Sequence, residues 1–156
     1  MALFLVQHGV SGTRENENEK VLSEQGKTET SLIAQVAKGY NIRPERIVHS
    51  GKKRAEQTAA LYHHALSVSS PLSQIPGIGP LDEVPVFAQS IAPESNTMVV
   101  GHMPFLEKLV SYLTTGSTEF KIYQFQNSGI VCLDICTSSE GVHGWYIKWT
   151  LNPNIS

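Results

Sequence analysis

The stretch that most constrains this chain is Leu3-Phe4-Leu5-Val6-Gln7-His8-Gly9, an apolar run that stops abruptly at a histidine and a glycine. A short continuous apolar run closed by a turn signal reads as a strand buried on both faces, the kind found in parallel sheets covered by helices. In open α/β sheets the ligand crevice lies beyond the carboxyl ends of the strands. His8 therefore stands where chemistry is expected. A single histidine at a strand end is more often a hydrogen-bonded loop residue than a reactive one, so its meaning depends on what other strand ends carry.

Two further junctions carry matching groups. Arg46-Ile47-Val48-His49 reads as a second short strand, with Ser50 as a candidate N-cap and good helix formers from Lys52 to about Leu66. Thr97-Met98-Val99-Val100-Gly101 is a third buried strand. His102 follows, Pro104 falls at the first helical position, and Phe105, Leu106, Leu109, Val110 and Leu113 form one helical stripe closed by Gly116. With the three strands parallel and central, His8, Arg54 and His102 emerge on one edge of the sheet.

The segments between them fit the same scheme. Val10 to Lys20 is polar and reads as a loop; Ser23 then caps a helix whose buried face is Leu32, Ile33, Val36, Ala37 and Tyr40, with Gly39 near its end. Ser67 to Pro80 reads as a connecting loop. Its Gly77-Ile78-Gly79 lacks the third glycine of a dinucleotide fingerprint and runs into Pro80, so that reading is discarded. Asp82 can cap a short helix through about Ile91. Ser128 to Ile135 and Trp145 to Leu151 are β-rich runs joined by a Ser/Gly-rich turn, which is a hairpin signal. Alternating strands and helices followed by a hairpin predict an α/β fold in one domain over 1–156, with a mixed, mostly parallel sheet and helices on both faces.

Bulk properties narrow the partners. Twelve basic and fourteen acidic residues give a formal charge of -2, which leaves no electrostatic footprint for nucleic acid or an anionic membrane. Any anion site must be local. Cys132 and Cys136 lie four apart in a predicted strand, about 13 Å at ~3.3 Å per residue and beyond bridging distance, so both are expected as free thiols. Free thiols suit a reducing compartment, and the N-terminal apolar run is too short for a signal peptide or a membrane span, so a cytoplasmic location is expected.

Ser50-Gly51-Lys52-Lys53-Arg54 places three cations in a first helical turn, against the positive end of the helix dipole, at about 0.3 to 1 kcal/mol each. Free backbone N–H groups together with a guanidinium fork describe an anion site, although three solvated surface cations would cost little and fit equally well. Two imidazoles and a guanidinium around one pocket suit phosphoryl transfer, in which fixed donors stabilise spreading charge while a neutral imidazole attacks. A metal site fits poorly: the six histidines form no ligand pattern. His63 and His64 are expected on a helix surface and His143 in a turn.

Leu5-Val6-Gln7-His8-Gly9, Ser50-Gly51-Lys52-Lys53-Arg54-Ala55-Glu56-Gln57-Thr58 and Val100-Gly101-His102-Met103-Pro104 resemble the three signatures of the histidine phosphatase superfamily, the phosphoglycerate-mutase-like group. The chain's length, the Val-Gly-His-x-Pro form and the closing β-rich runs look most like its small SixA-type phosphohistidine phosphatase branch. The resemblance implies a three-layer α/β/α fold, with His8 as a nucleophile that is transiently phosphorylated. Arg54 and His102 would hold the phosphoryl group, and no metal or other cofactor would be required.

One departure matters: the family's arginine before the nucleophile is Gln7 here, a donor without charge. Arg14, Lys52 and Lys53 are the cations available to replace it. Larger members use an acid to protonate the leaving group; only Asp82 and Glu83 are candidates, and Asp82 reads better as a helix cap. The leading expectation is a phosphatase acting on phosphohistidine of a protein partner, with Gln7, Arg54 and His102 as phosphate ligands. A small-molecule phosphomonoesterase and a catalytically weakened phosphate- or phosphoprotein-binding module are the alternatives.

Overall fold

The computed structural model describes residues 2–12, 20–92, 94–137 and 143–154. In chain order the elements are β1 (Leu3–Gln7), α1 (Glu24–Gly39), β2 (Arg46–His49), α2 (Lys53–Ala65), β3 (Ser73–Gln74), α3 (Val84–Gln89), β4 (Thr97–Gly101), α4 (Phe105–Thr115), β5 (Ile130–Thr137) and β6 (His143–Leu151). The strands form one sheet in the order β3-β2-β4-β1-β5-β6. β3, β2, β4 and β1 are mutually parallel, and β5 and β6 add antiparallel on the far side of β1.

The apolar runs are continuous because both faces of the sheet are covered. Phe4 and Val6 of β1 pack with Ile33 and Ala37 of α1 and Ala55 and Tyr62 of α2. Leu3 and Leu5, a strand period out of phase, pack with Val84 of α3 and Phe105, Leu106 and Leu109 of α4. Two cores on one sheet make the three-layer α/β/α architecture that the resemblance implies. Burying a leucine completely, as at Leu5, Leu106 and Leu109, contributes about 1.5 to 3 kcal/mol, so each face is held by several such side chains.

Helix α1 starts where the sequence predicts: the Ser23 side chain accepts a hydrogen bond from the Gly26 N–H at 3.0 Å. Its buried face is offset from the expected stripe. Gly26, Thr30, Ile33, Ala34 and Ala37 are buried, whereas Leu32 is 54% and Tyr40 73% exposed. The reason is close approach. A Cβ on Gly26 would lie 2.1 Å from the Val10 carbonyl oxygen, and Ala34 and Ala37 share a core with Ala55 and Ala59 of α2. Small residues set the face, and the larger Leu32 and Tyr40 turn outward.

Other expectations shift for identifiable reasons. The cap position of α2 is Lys52, not Ser50, and it carries no side-chain cap bond. Asp82 does not cap α3; its carboxylate accepts from the Gly79 N–H at 2.7 Å and closes a turn, while Glu83 takes the cap position and the helix ends at Gln89. Pro104 is the N-cap of α4 rather than its first residue. Strand β3, inside the stretch read as a connecting loop, is a two-residue pairing of Ser73 and Gln74 with Val48 and His49. His143 opens β6 opposite Thr137 instead of lying in a turn. His64 is exposed as expected; His63 is half-buried, with Nε2 2.7 Å from the Ser70 carbonyl oxygen.

Cys132 is buried and Cys136 exposed, both as free thiols. Among the described residues no helix is long and apolar enough to cross a membrane.

The topology positions the site. Adjacent parallel strands β1 and β4 are followed by helices on opposite faces, α1 with one core and α4 with the other. Neighbouring strands whose following helices diverge open a crevice at their carboxyl ends. The register pairs Gln7 with Gly101, so the next residue on each strand, His8 and His102, lies at the mouth of that crevice.

Candidate active site

His8 leaves β1 with its backbone N–H donating to the Gly101 carbonyl at 3.1 Å, the last tie to β4. Its Nδ1 lies 2.7 Å from the Gly9 carbonyl oxygen. A carbonyl can only accept, so Nδ1 carries the proton and the lone pair of the neutral ring sits on Nε2. Arg54 donates to that atom from Nε across 3.3 Å. A nucleophilic nitrogen and a guanidinium are thus brought together, with the tautomer fixed by the backbone.

The turn after His8 is braced from several sides. The Gly9 N–H donates to Thr58 Oγ1 at 2.9 Å, and the Thr58 hydroxyl donates to the Arg54 carbonyl at 2.8 Å. Asn127 Nδ2 donates to the His8 carbonyl at 2.9 Å. Glycine is needed at position 9 because a Cβ would meet Thr30 Oγ1 at 2.9 Å and Ser128 Oγ at 3.0 Å. Those two hydroxyls are bonded to each other at 2.7 Å, and the buried Tyr62 hydroxyl donates to the Ser128 carbonyl. Burial holds the Tyr62 phenol well above its ordinary pKa, so it stays a donor.

Arg54 is 5% and His102 2% exposed. The His102 ring centroid lies 5.1 Å from that of His8, with the planes inclined at 52°, and His102 Nε2 is 2.5 Å from Ser50 Oγ. The first turn of α2, without a side-chain cap, points backbone N–H groups toward the same end of the sheet. The arrangement offers one lone pair and several convergent donors, the provisions a tetrahedral oxyanion requires.

His8, Arg54 and His102, named from the sequence, come together at one strand edge. Gln7 ends β1 one residue earlier, half-buried and paired with Gly101. Lys52 is half-buried at the cap of α2, Lys53 is exposed, and Arg14 lies outside the described residues. Asp82 and Glu83 are both exposed.

Sequence reasoning missed Ser50 as a partner of His102, having read it as a cap. It also missed the brace formed by Thr30, Thr58, Asn127 and Ser128. Thr58 stands four residues after Arg54, one helical turn away, which is a usable signal; Asn127 and Ser128 carry none.

The fold and this strand-edge constellation set a nucleophilic imidazole beside donors suited to a tetrahedral oxyanion. No family model matches the chain. It is 26% identical over 154 residues to the phosphohistidine phosphatase SixA of Escherichia coli, covering 95% of this chain and 94% of that protein. A solved structure of the protein histidine phosphatase SixA complexed with tungstate superposes with a TM-score of 0.82 at 24% identity, over 98% of this chain and 97% of the other. A mycobacterial glucosyl-3-phosphoglycerate phosphatase superposes with a TM-score of 0.70 at 16% identity, over 94% and 96% of the two chains. The chain is thus similar in sequence to SixA over nearly its whole length, and it shares the fold of SixA and of the phosphoglycerate phosphatase.

Proposed function

We propose that this protein removes the phosphoryl group from phosphohistidine on a protein partner, by way of a phosphohistidine on His8. The observation that carries the reading is the His8 ring itself. Its Nδ1 proton is tied to Gly9, and its Nε2 lone pair faces Arg54 with His102 alongside.

The chemistry balances without an added reagent. Nε2 of His8 attacks phosphorus, the substrate P–N bond breaks, and the departing imidazole takes a proton from solvent. Water then attacks the phosphorylated His8, its P–N bond breaks, and inorganic phosphate leaves with the neutral ring restored. Arg54, His102, the amide of Gln7 and the first-turn N–H groups of α2 hold the phosphoryl oxygens. Imidazole is a good leaving group once protonated, so this substrate does not need the buried carboxylic acid that is lacking among the described residues. The relative in Escherichia coli is a phosphohistidine phosphatase by name, and a tungstate complex is known for a SixA protein; both support this substrate class. The free thiols Cys132 and Cys136 suit action in the cytoplasm.

Gln7 favours a second reading. Losing one transition-state donor costs about 10² to 10³ in rate, and a charged donor is the stronger kind, so a module that binds phosphoprotein and turns over slowly is the alternative. Incubation with a phosphorylated histidine domain and with p-nitrophenyl phosphate, beside His8→Ala, separates the cases. Phosphate release from the histidine domain that needs His8 supports the phosphatase. Release from the aryl ester alone indicates a small-molecule phosphomonoesterase, and binding without release indicates the module.

A further inference from the structure

The proposed reaction leaves one close contact in the crevice unassigned, the 2.5 Å approach of Ser50 Oγ to Nε2 of His102. The turn between β2 and α2 is built to present this hydroxyl. Gly51 adopts φ +93, and a Cβ there would fall 2.3 Å from the Gln74 amide nitrogen, so the chain must reverse sharply just after Ser50. The Lys52 N–H lies 3.4 Å from Ser50 Oγ as a second neighbour. That backbone donor occupies one lone pair of Oγ, and the hydroxyl proton remains available to the imidazole.

We propose that Ser50 is the positioning residue of His102. Its hydroxyl donates to Nε2, fixes the neutral ring as the Nδ1–H tautomer, and holds Nε2 at the mouth of the crevice beside His8. A serine hydroxyl can also accept, so when a phosphoryl oxygen arrives and His102 carries a proton on Nε2, rotation about the C–O bond turns Ser50 from donor to acceptor, and the Nε2–H is shared between Oγ and the phosphoryl oxygen. That adaptability matters more in a pocket where Gln7 leaves less fixed positive charge. The kinetic part of this inference rests on the phosphatase reading; the tautomer part does not.

The test uses the full chain labelled with ¹⁵N in its histidine rings, as wild type, Ser50→Ala and Ser50→Thr, first without ligand. The expected result is a pyridine-type Nε2 signal for His102 in wild type and Ser50→Thr. In Ser50→Ala this signal moves toward the pyrrole type, with an unchanged melting temperature. In turnover of a phosphorylated histidine domain, Ser50→Ala is expected to lose about ten- to a hundredfold in kcat/KM, mainly through kcat, and Ser50→Thr to recover most of it. Identical His102 nitrogen signals in wild type and Ser50→Ala would overturn the assignment. A changed signal in a protein that hydrolyses no phosphohistidine would uphold Ser50 and remove the phosphatase reading instead.

Discussion

Arg54 donates from its Nε to Nε2 of His8 across 3.3 Å, although 46 residues separate the two in sequence. The contact exists because β1 and β2 both pair in parallel with β4, so the turn after β1 and the first turn of α2 open on the same edge.

Charge in that pocket is the first quantity to vary. Gln7→Arg adds a guanidinium one residue before His8, at a position that ends β1 beside Gly101. Turnover of a phosphorylated histidine domain is expected to rise by at least about tenfold, since a single oxyanion donor is typically worth ~10² to 10³. An unchanged rate, measured by phosphate release, would mean that another cation already serves the site.

The brace under Gly9 gives a stability prediction. Thr58→Val keeps the volume but leaves the buried Gly9 N–H without its acceptor, at a cost of about 1 to 3 kcal/mol. For a chain of this size that is a fall in melting temperature of roughly 2 to 10 °C, read by thermal unfolding. Phosphatase activity should fall with it, because the same hydroxyl ties Arg54 to the turn that carries His8.

Packing of α1 gives another. Gly26→Ala would place a methyl group 2.1 Å from the Val10 carbonyl oxygen, a backbone atom that cannot swing aside. The helix must shift off the chain after Gly9, and destabilisation of at least about 1 to 3 kcal/mol is expected in denaturant unfolding.

These two glycines mark how far the sequence was legible. The strands were readable because β1, β2 and β4 are covered on both faces and therefore written as unbroken apolar runs. The junction residues His8, Arg54 and His102 follow directly from those runs, and so does their convergence. The buried face of α1 was misread at Leu32 and Tyr40 because the helix approaches its neighbours through Gly26, Ala34 and Ala37, and residues without large side chains leave little hydrophobic signal. Strand β3 was unreadable, being two polar residues defined by backbone pairing alone. Ser50 looked like a cap because serine before a helix usually is one; only the positive φ of Gly51 and the position of His102 reassign it.

His49 sets a pH dependence. It is buried at the end of β2, and burial lowers its pKa below the ordinary 6.5, with Glu56 opposing to a smaller extent. A depressed folded-state pKa means that the unfolded chain takes up the proton first as pH falls. The neutral ring's contribution is present above pH 6.5 and is lost as the pH falls through the lower folded value. His49→Asn, which keeps an acceptor for the Gly51 N–H, is expected to flatten the decline of unfolding free energy between pH 7 and 5. An unchanged slope would assign that decline to other groups.

The two thiols should differ sharply. Burial pushes the Cys132 thiol up to about 11, whereas Cys136 is exposed. A thiol reagent at neutral pH is expected to label Cys136 promptly and Cys132 only on unfolding, as peptide mapping would show.

The central claim is that His8 becomes the phosphoryl carrier. Rapid quenching during turnover of a ³²P-labelled phosphohistidine domain, followed by peptide mapping, tests it most directly. Transient, acid-labile and alkali-stable label is expected on the peptide containing His8, and none in His8→Ala. Steady phosphate release by wild type with no label on His8, or equal release by His8→Ala, would contradict it.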